Sequence, residues 1–242
     1  MSHSAPSWGI GNASQSTYRV TDLGELAVRL GSPVSHDRRG DVLTYDDFEY
    51  GIGKWFNTPG SLGSSWASSN ARSRNKQYSG LLQTAGGLGT YEWLYFTWPY
   101  PANAKIGNEI SISIGSPDLI VDIGFDAYNP PSQRFGAVRY NNTSKTLSYY
   151  KSDTTWGLLE SSFSLSPNYP MFNVFKVVAD LDKGEYKRII VNNREWDMTG
   201  IPLYIAPTVV PGFFRSFLRL TNTTIASSYI YLDDLVLTQN EP

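Results

Sequence analysis

The chain has 242 residues, no cysteine, two histidines and a formal net charge of −2 with both signs dispersed. Those counts exclude a disulfide framework, a thiolate nucleophile and a zinc–thiolate site, and they give no electrostatic footprint for nucleic acid. No stretch approaches the roughly 18 consecutive apolar residues of a membrane span, and 14% aromatic against 17% charged residues fits large packed sheets better than charged helices.

Residues 1–42 read as an N-terminal arm. The first seventeen are rich in Ser, Gly, Asn and Ala and have no periodicity, which predicts an extended segment. They contain no basic region followed by an apolar run, so the expectation is either a mature chain cut from a longer one or a chain made and used without an export signal. Asp22, with Glu25 three residues on, caps one short helix over about 22–31. Leu23, Leu26, Ala27 and Leu30 form its apolar stripe, and Gly31 and Pro33 stop it. Isolated helices shorter than about 12 residues are marginal in water, so this one docks either on its own body or on a neighbouring subunit.

Residues 43–242 form the body. Period-two patterns bounded by turn residues recur along it, predicting about a dozen strands in a two-sheet antiparallel sandwich. The clearest strand carries Leu119, Val121, Ile123 and Phe125 on one face and Asp118, Ile120, Asp122 and Gly124 on the other. Ile110, Ile112 and Ile114 alternate with serines just before it, and Arg134–Tyr140 and Thr146–Tyr150 flank a hairpin turn. Further strands are expected at Phe172–Asp180, Tyr186–Val191, Arg194–Met198, Phe213–Leu220 and Tyr229–Leu237.

The densest aromatic run holds Tyr91, Trp93 and Tyr95 at strand spacing on one face, with Glu92, Leu94 and Phe96 on the other. Rings about 6.6 Å apart along a strand can serve as a sugar platform, because aromatic faces pack on the apolar faces of sugars. The alternative is that this row fills the core. Trp66, Trp156 and Trp196 are isolated and read as core or loop anchors.

Nothing in the body nominates a catalytic centre. His3 and His36 both lie in the arm, so a Ser-His-Asp triad or a histidine-rich metal site inside the sandwich is excluded. Asp118, Asp122 and Asp126 share a strand face, but residues four apart stand about 13 Å from each other, wider than the roughly 5–9.5 Å of a glycosidase carboxyl pair. The expectation is a protein that is not an enzyme.

Three segments carry a resemblance. Asp46-Asp47-Phe48-Glu49, followed by Gly51 and Trp55, resembles the opening strand of carbohydrate-binding jelly-roll (concanavalin A-like) modules. Tyr78-Ser79-Gly80-Leu81-Leu82 is similar to their second strand, and Tyr229-Ile230-Tyr231-Leu232-Asp233-Asp234-Leu235-Val236-Leu237 to their closing strand. The resemblance implies an all-β jelly-roll sandwich whose first and last strands are neighbours. It also implies Asp47, Glu49 and Asp234 as candidate ligands of a structural calcium ion, unless these carboxylates cap strand ends or pair with Lys and Arg.

The arm-plus-sandwich layout resembles that of phage virion structural proteins. It implies a capsid decoration or fibre protein at the virion surface, assembling as a homo-oligomer such as a trimer and on a capsid lattice through Leu23, Leu26 and Leu30. The alternative is an extracellular carbohydrate-binding module that takes a polysaccharide on Tyr91, Trp93 and Tyr95.

Overall fold

The computed structural model describes residues 39–74, 76–165 and 171–242, so the helix expected over 22–31 lies outside the described residues. Within them there are sixteen strands and no helix. In chain order these are β1 (Asp41–Asp46), β2 (Trp55–Pro59), β3 (Ser65–Ser69), β4 (Ser79–Gln83), β5 (Tyr91–Pro99), β6 (Lys105–Ile114), β7 (Leu119–Asn129) and β8 (Ser132–Asn141). They continue as β9 (Thr146–Tyr150), β10 (Trp156–Glu160), β11 (Asn173–Asp180), β12 (Glu185–Val191), β13 (Arg194–Asp197), β14 (Tyr204–Pro207), β15 (Phe213–Asn222) and β16 (Tyr229–Gln239).

Two eight-stranded antiparallel sheets face each other. The first runs β13-β12-β11-β6-β16-β4-β3, with β1 also beside β16; the second runs β10-β9-β8-β7-β15-β5-β2, with β14 also beside β8. This is the all-β jelly-roll sandwich read from the sequence, with its first and last strands paired.

β16 organises the first sheet. β6 pairs along one edge, while the other edge serves β4 over Tyr229–Leu232 and β1 over Leu235–Gln239. Asp233 and Asp234 sit at the handover, where the register with β6 shifts and Asp234 takes a left-handed φ of 49°. An aspartate tolerates that conformation better than most residues, so the bulge falls where the pattern of apolar alternation is interrupted by two acids.

The core lies between the inner faces. Leu119, Val121, Ile123 and Phe125 of β7 are buried there with Ile110 and Ile112 of β6, Leu218 and Leu220 of β15, and Leu232 and Leu235 of β16. Gly80 of β4 admits Trp66 against this core: a Cβ at position 80 would lie 1.9 Å from the indole. Trp66 and Trp196 are thus partly buried core anchors, as expected.

Two polar ties fix the sheets to one another. The Asn108 side-chain amide on β6 donates to the Gly124 carbonyl on β7 at 2.7 Å. The buried Tyr186 hydroxyl on β12 accepts from the Ala137 amide at 2.9 Å and donates to the Tyr150 carbonyl at 2.8 Å. Buried polar groups of this kind cost free energy when left without a partner. Tyr186→Phe is therefore expected to lower unfolding stability by about 1–3 kcal/mol in a denaturant titration while preserving the fold; an unchanged midpoint would contradict the assigned role.

Candidate functional site

Both faces of β5 are apolar enough to be buried, so alternation alone leaves its orientation open. The structure buries Glu92, Leu94 and Phe96 and turns Tyr91, Trp93 and Tyr95 to the outward face of the second sheet, partly exposed. The buried face also takes the Glu92 carboxyl, which accepts from the Asn57 side-chain amide at 3.2 Å, so packing and not polarity decides the orientation. The rings at 91, 93 and 95 are therefore not core filling. Gly60 makes room for the first of them, since a Cβ there would fall 2.0 Å from the Tyr91 ring.

β15 lies antiparallel between β5 and β7, with Phe217 opposite Tyr95 and Gly124, and Arg219 opposite Trp93 and Asp122. Its alternation puts Arg215, Phe217 and Arg219 on the same outward face, which gives the rings their neighbours. Trp93 and Tyr95 are parallel within 8°, their centroids 5.7 Å apart. The Arg219 guanidinium lies 4.5 Å from the Tyr91 centroid and 5.2 Å from Trp93. Arg215 stands 4.3 Å from Tyr95 and 5.6 Å from Tyr128, which itself stacks on Phe213 at 4.4 Å.

A second line of rings crosses the sheet through Phe217, which is itself buried beneath its neighbours. It packs 5.3 Å from Trp93 and 5.0 Å from Phe135, followed by Tyr150 at 4.7 Å and Trp156 at 5.2 Å. Arg139 closes this line, 3.9 Å over the Trp156 ring. Trp156 therefore belongs to the same outward surface, not to an isolated anchor.

Charge on this surface is mostly paired. Asp122 accepts from Arg139 through both oxygens at 2.6 and 2.7 Å. Asp126 accepts from Arg215 at 2.6 and 3.1 Å and from Gln133 at 3.0 Å. Neither carboxylate is left as an unpaired acid or base, and the two belong to one strand at the wide spacing expected from the sequence. Arg219 differs: among the described residues it has no carboxylate partner, and its Nε is buried without an acceptor. Burial raises the Tyr95 hydroxyl above its ordinary pKa against the opposing pull of Arg215, and burial with Asp126 does the same for Tyr128. Both phenols accordingly remain protonated donors at neutral pH.

The carboxylates marked for calcium occupy a different place, where β1 leaves β16. Asp46 accepts from the Trp55 indole at 3.0 Å and the Phe48 amide at 3.3 Å. Phe48 is fully buried at a φ of 58°, a strained position for a bulky residue, and it stacks 5.5 Å from Trp55. Asp47 pairs with Lys76 at 2.6 Å, and Glu49 accepts the amides of Gln77 and Tyr78 at 2.8 and 2.7 Å. Asp234 takes Arg74 at 2.9 Å and the Tyr45 hydroxyl at 2.5 Å. Burial, then the adjacent Asp234 carboxylate, pushes the Asp233 carboxyl up to about 8.

The structure gives Asp47, Glu49 and Asp234, the candidate calcium ligands, partners other than a metal. Each is occupied by a cation, a hydroxyl or backbone amides, and among the described residues no group of three or more His, Cys, Asp or Glu is arranged to hold a metal. The motif closes the sandwich through hydrogen bonds and ion pairs instead.

Sequence reasoning missed Arg139, Arg215, Arg219, Phe217 and Tyr128, although the alternation of Phe213, Arg215, Phe217 and Arg219 along β15 carried the signal. The proposed assembly residues Leu23, Leu26 and Leu30 lie outside the described residues.

No protein-family model and no curated protein matches the chain. By fold it is similar to the endo-β-1,4-glucuronan lyase of the fungus Trichoderma reesei (TM-score 0.55, 7% identity, covering 82% of this chain and 96% of that one). It is also similar to a carbohydrate esterase of the Shiga toxin-encoding bacteriophage phi24B (TM-score 0.51, 9% identity, 84% and 100%). A sialidase gives a TM-score of 0.54 at 9% identity over 84% of this chain, which spans only 19% of the sialidase. Such likeness shows a sandwich shared with proteins that handle carbohydrate, and a shared fold does not fix an activity.

The closing motif yields a direct expectation. Chelation with EDTA leaves the calorimetric unfolding midpoint unchanged and added calcium does not raise it, because linkage requires an ion that binds the folded state. A calcium-dependent rise would overturn the assignment of these carboxylates to Lys76, Arg74 and the backbone.

Proposed function

We propose that the outward face of the second sheet binds carbohydrate and that the protein works by binding, not by bond cleavage. One observation carries this reading: Tyr91, Trp93 and Tyr95, which the core could have absorbed, stand outward in a continuous surface of rings and guanidiniums. Sugars offer apolar C–H faces beside hydroxyls, and such a surface answers both, with ring area for the first and tyrosine and arginine donors for the second. The glucuronan lyase, carbohydrate esterase and sialidase with similar folds support carbohydrate as the ligand class. Binding is favoured over hydrolysis because Asp122 and Asp126 are each taken up by an arginine, while a glycosidase needs one carboxyl free to protonate and a second free to attack or activate water.

Trp93→Ala is expected to weaken binding in a glycan array at least tenfold, in line with loss of a central aromatic contact of about 2 kcal/mol, while circular dichroism stays unchanged. Undiminished binding by a folded Trp93→Ala protein would remove the platform from the reading.

Assembly on a capsid lattice at a virion surface, or action as an extracellular module, is a separate proposal. It draws on the apolar stripe of Leu23, Leu26 and Leu30 and is compatible with a glycan-binding body. Its measure is solution mass: removal of residues 1–39, which spares β1, is expected to turn an oligomer into a folded monomer, and an unchanged mass per particle would sink it.

A further inference from the structure

Arg219 stands apart from the other outward-facing arginines. Its register neighbour Asp122 gives both oxygens to Arg139, and Asp126 is held by Arg215 and Gln133. The contacts of Arg219 are with rings, Tyr91 at 4.5 Å and Trp93 at 5.2 Å, and its Nε–H is buried with no acceptor. Across β7, β8 and β15 this surface thus carries three guanidiniums against two carboxylates, and the surplus positive charge sits at Arg219 beside Tyr91 and Trp93.

A guanidinium in this state is a preorganised receptor for an anion. Its fork of N–H donors matches the two oxygens of a carboxylate, a fit that a point charge such as an ammonium does not reproduce. The two rings fix its orientation, so little side-chain freedom is lost when a ligand arrives. An anion that suits the site must also lie against Tyr91 and Trp93, which calls for a carboxylate attached to a ring with an apolar face.

We propose that Arg219, with Tyr91 and Trp93, forms a subsite for a sugar carboxylate, which makes this face selective for acidic saccharides over neutral ones. The proposal rests on the reading of the face as glycan-binding. A sugar carboxylate is borne by uronic acids or by sialic acids, and the two sources are separated by the probes.

The test uses the full chain and calorimetric titration with an oligogalacturonide and with sialyllactose, each beside its methyl ester, which keeps the sugar and removes the charge. Cellohexaose and a broad neutral glycan array complete the set. At least one acid is expected to bind about tenfold or more tightly than its ester, the range of one charge-assisted hydrogen-bond pair. Arg219→Gln should abolish the preference for that acid over its ester, whatever it does to the affinity of the ester itself, and Arg219→Lys should restore only part of the preference. Equal affinity of acid and ester in the wild type, or neutral glycans alone as ligands, overturns the proposal and leaves the glycan-binding reading intact. Silence from every probe and across the array overturns both. Should Arg219→Gln fail to fold, the wild-type comparison of acid with ester still decides.

Discussion

Leu94 and Phe96 can enter the space between the sheets only if Tyr91, Trp93 and Tyr95 leave it, because successive side chains on a strand point to opposite faces. That single constraint sets the chemistry of the outward surface. Once β5 is oriented, antiparallel pairing with β15 brings Phe217 opposite Tyr95 and Arg219 opposite Trp93, and pairing of β15 with β7 brings Arg219 opposite Asp122 and Arg215 opposite Asp126. A slip of one residue would drive the arginines into the core and expose Leu218 and Leu220, so register is enforced by the cost of that inversion. The outward surface follows from what the core refuses.

The acidic motifs at the two ends of the body serve a different purpose. Asp46 fastens Phe48 and Trp55, Asp47 and Glu49 hold the segment at Lys76–Tyr78, and Asp234 engages Arg74 and Tyr45 at the bulge where β16 changes partners. A strained Phe48 persists there because burial against Trp55 and Trp66 over-determines it. Ion pairs and backbone amides thereby do the closing work for which the resemblance to calcium-holding modules suggested a metal. These carboxylates lie by β1 and β16 of the first sheet, whereas the row of rings belongs to the second.

The sandwich was legible in the sequence wherever one face of a strand was plainly apolar. Leu119, Val121, Ile123 and Phe125 against Asp118, Ile120, Asp122 and Gly124 is such a case, and the paired strands at Asp46 and Asp234 were found from their motifs. The orientation of β5 was not legible, since Trp93 and Tyr95 can fill a core as Leu94 and Phe96 can, and only the packing of β2, β15 and the facing sheet decides between them. Arginine partners were hidden for a related reason. Arg219 meets Trp93, and Arg139 meets Trp156, across strands distant in sequence, and nothing local reports that a guanidinium lacks its carboxylate. Calcium was suggested only by the resemblance to jelly-roll modules, and Arg74 and Lys76, which engage these acids, come from a connecting segment whose path no periodicity predicts.

The proposed ligand surface is tested most directly by the indole N–H signals of the seven tryptophans, each a separate NMR probe of its own site. On titration with a bound acidic oligosaccharide, the Trp93 signal is expected to move first and farthest, with Trp156 following and Trp55 and Trp66 unmoved. Shifts confined to Trp55, Trp66 or Trp196, with Trp93 unchanged at saturation, would contradict the account.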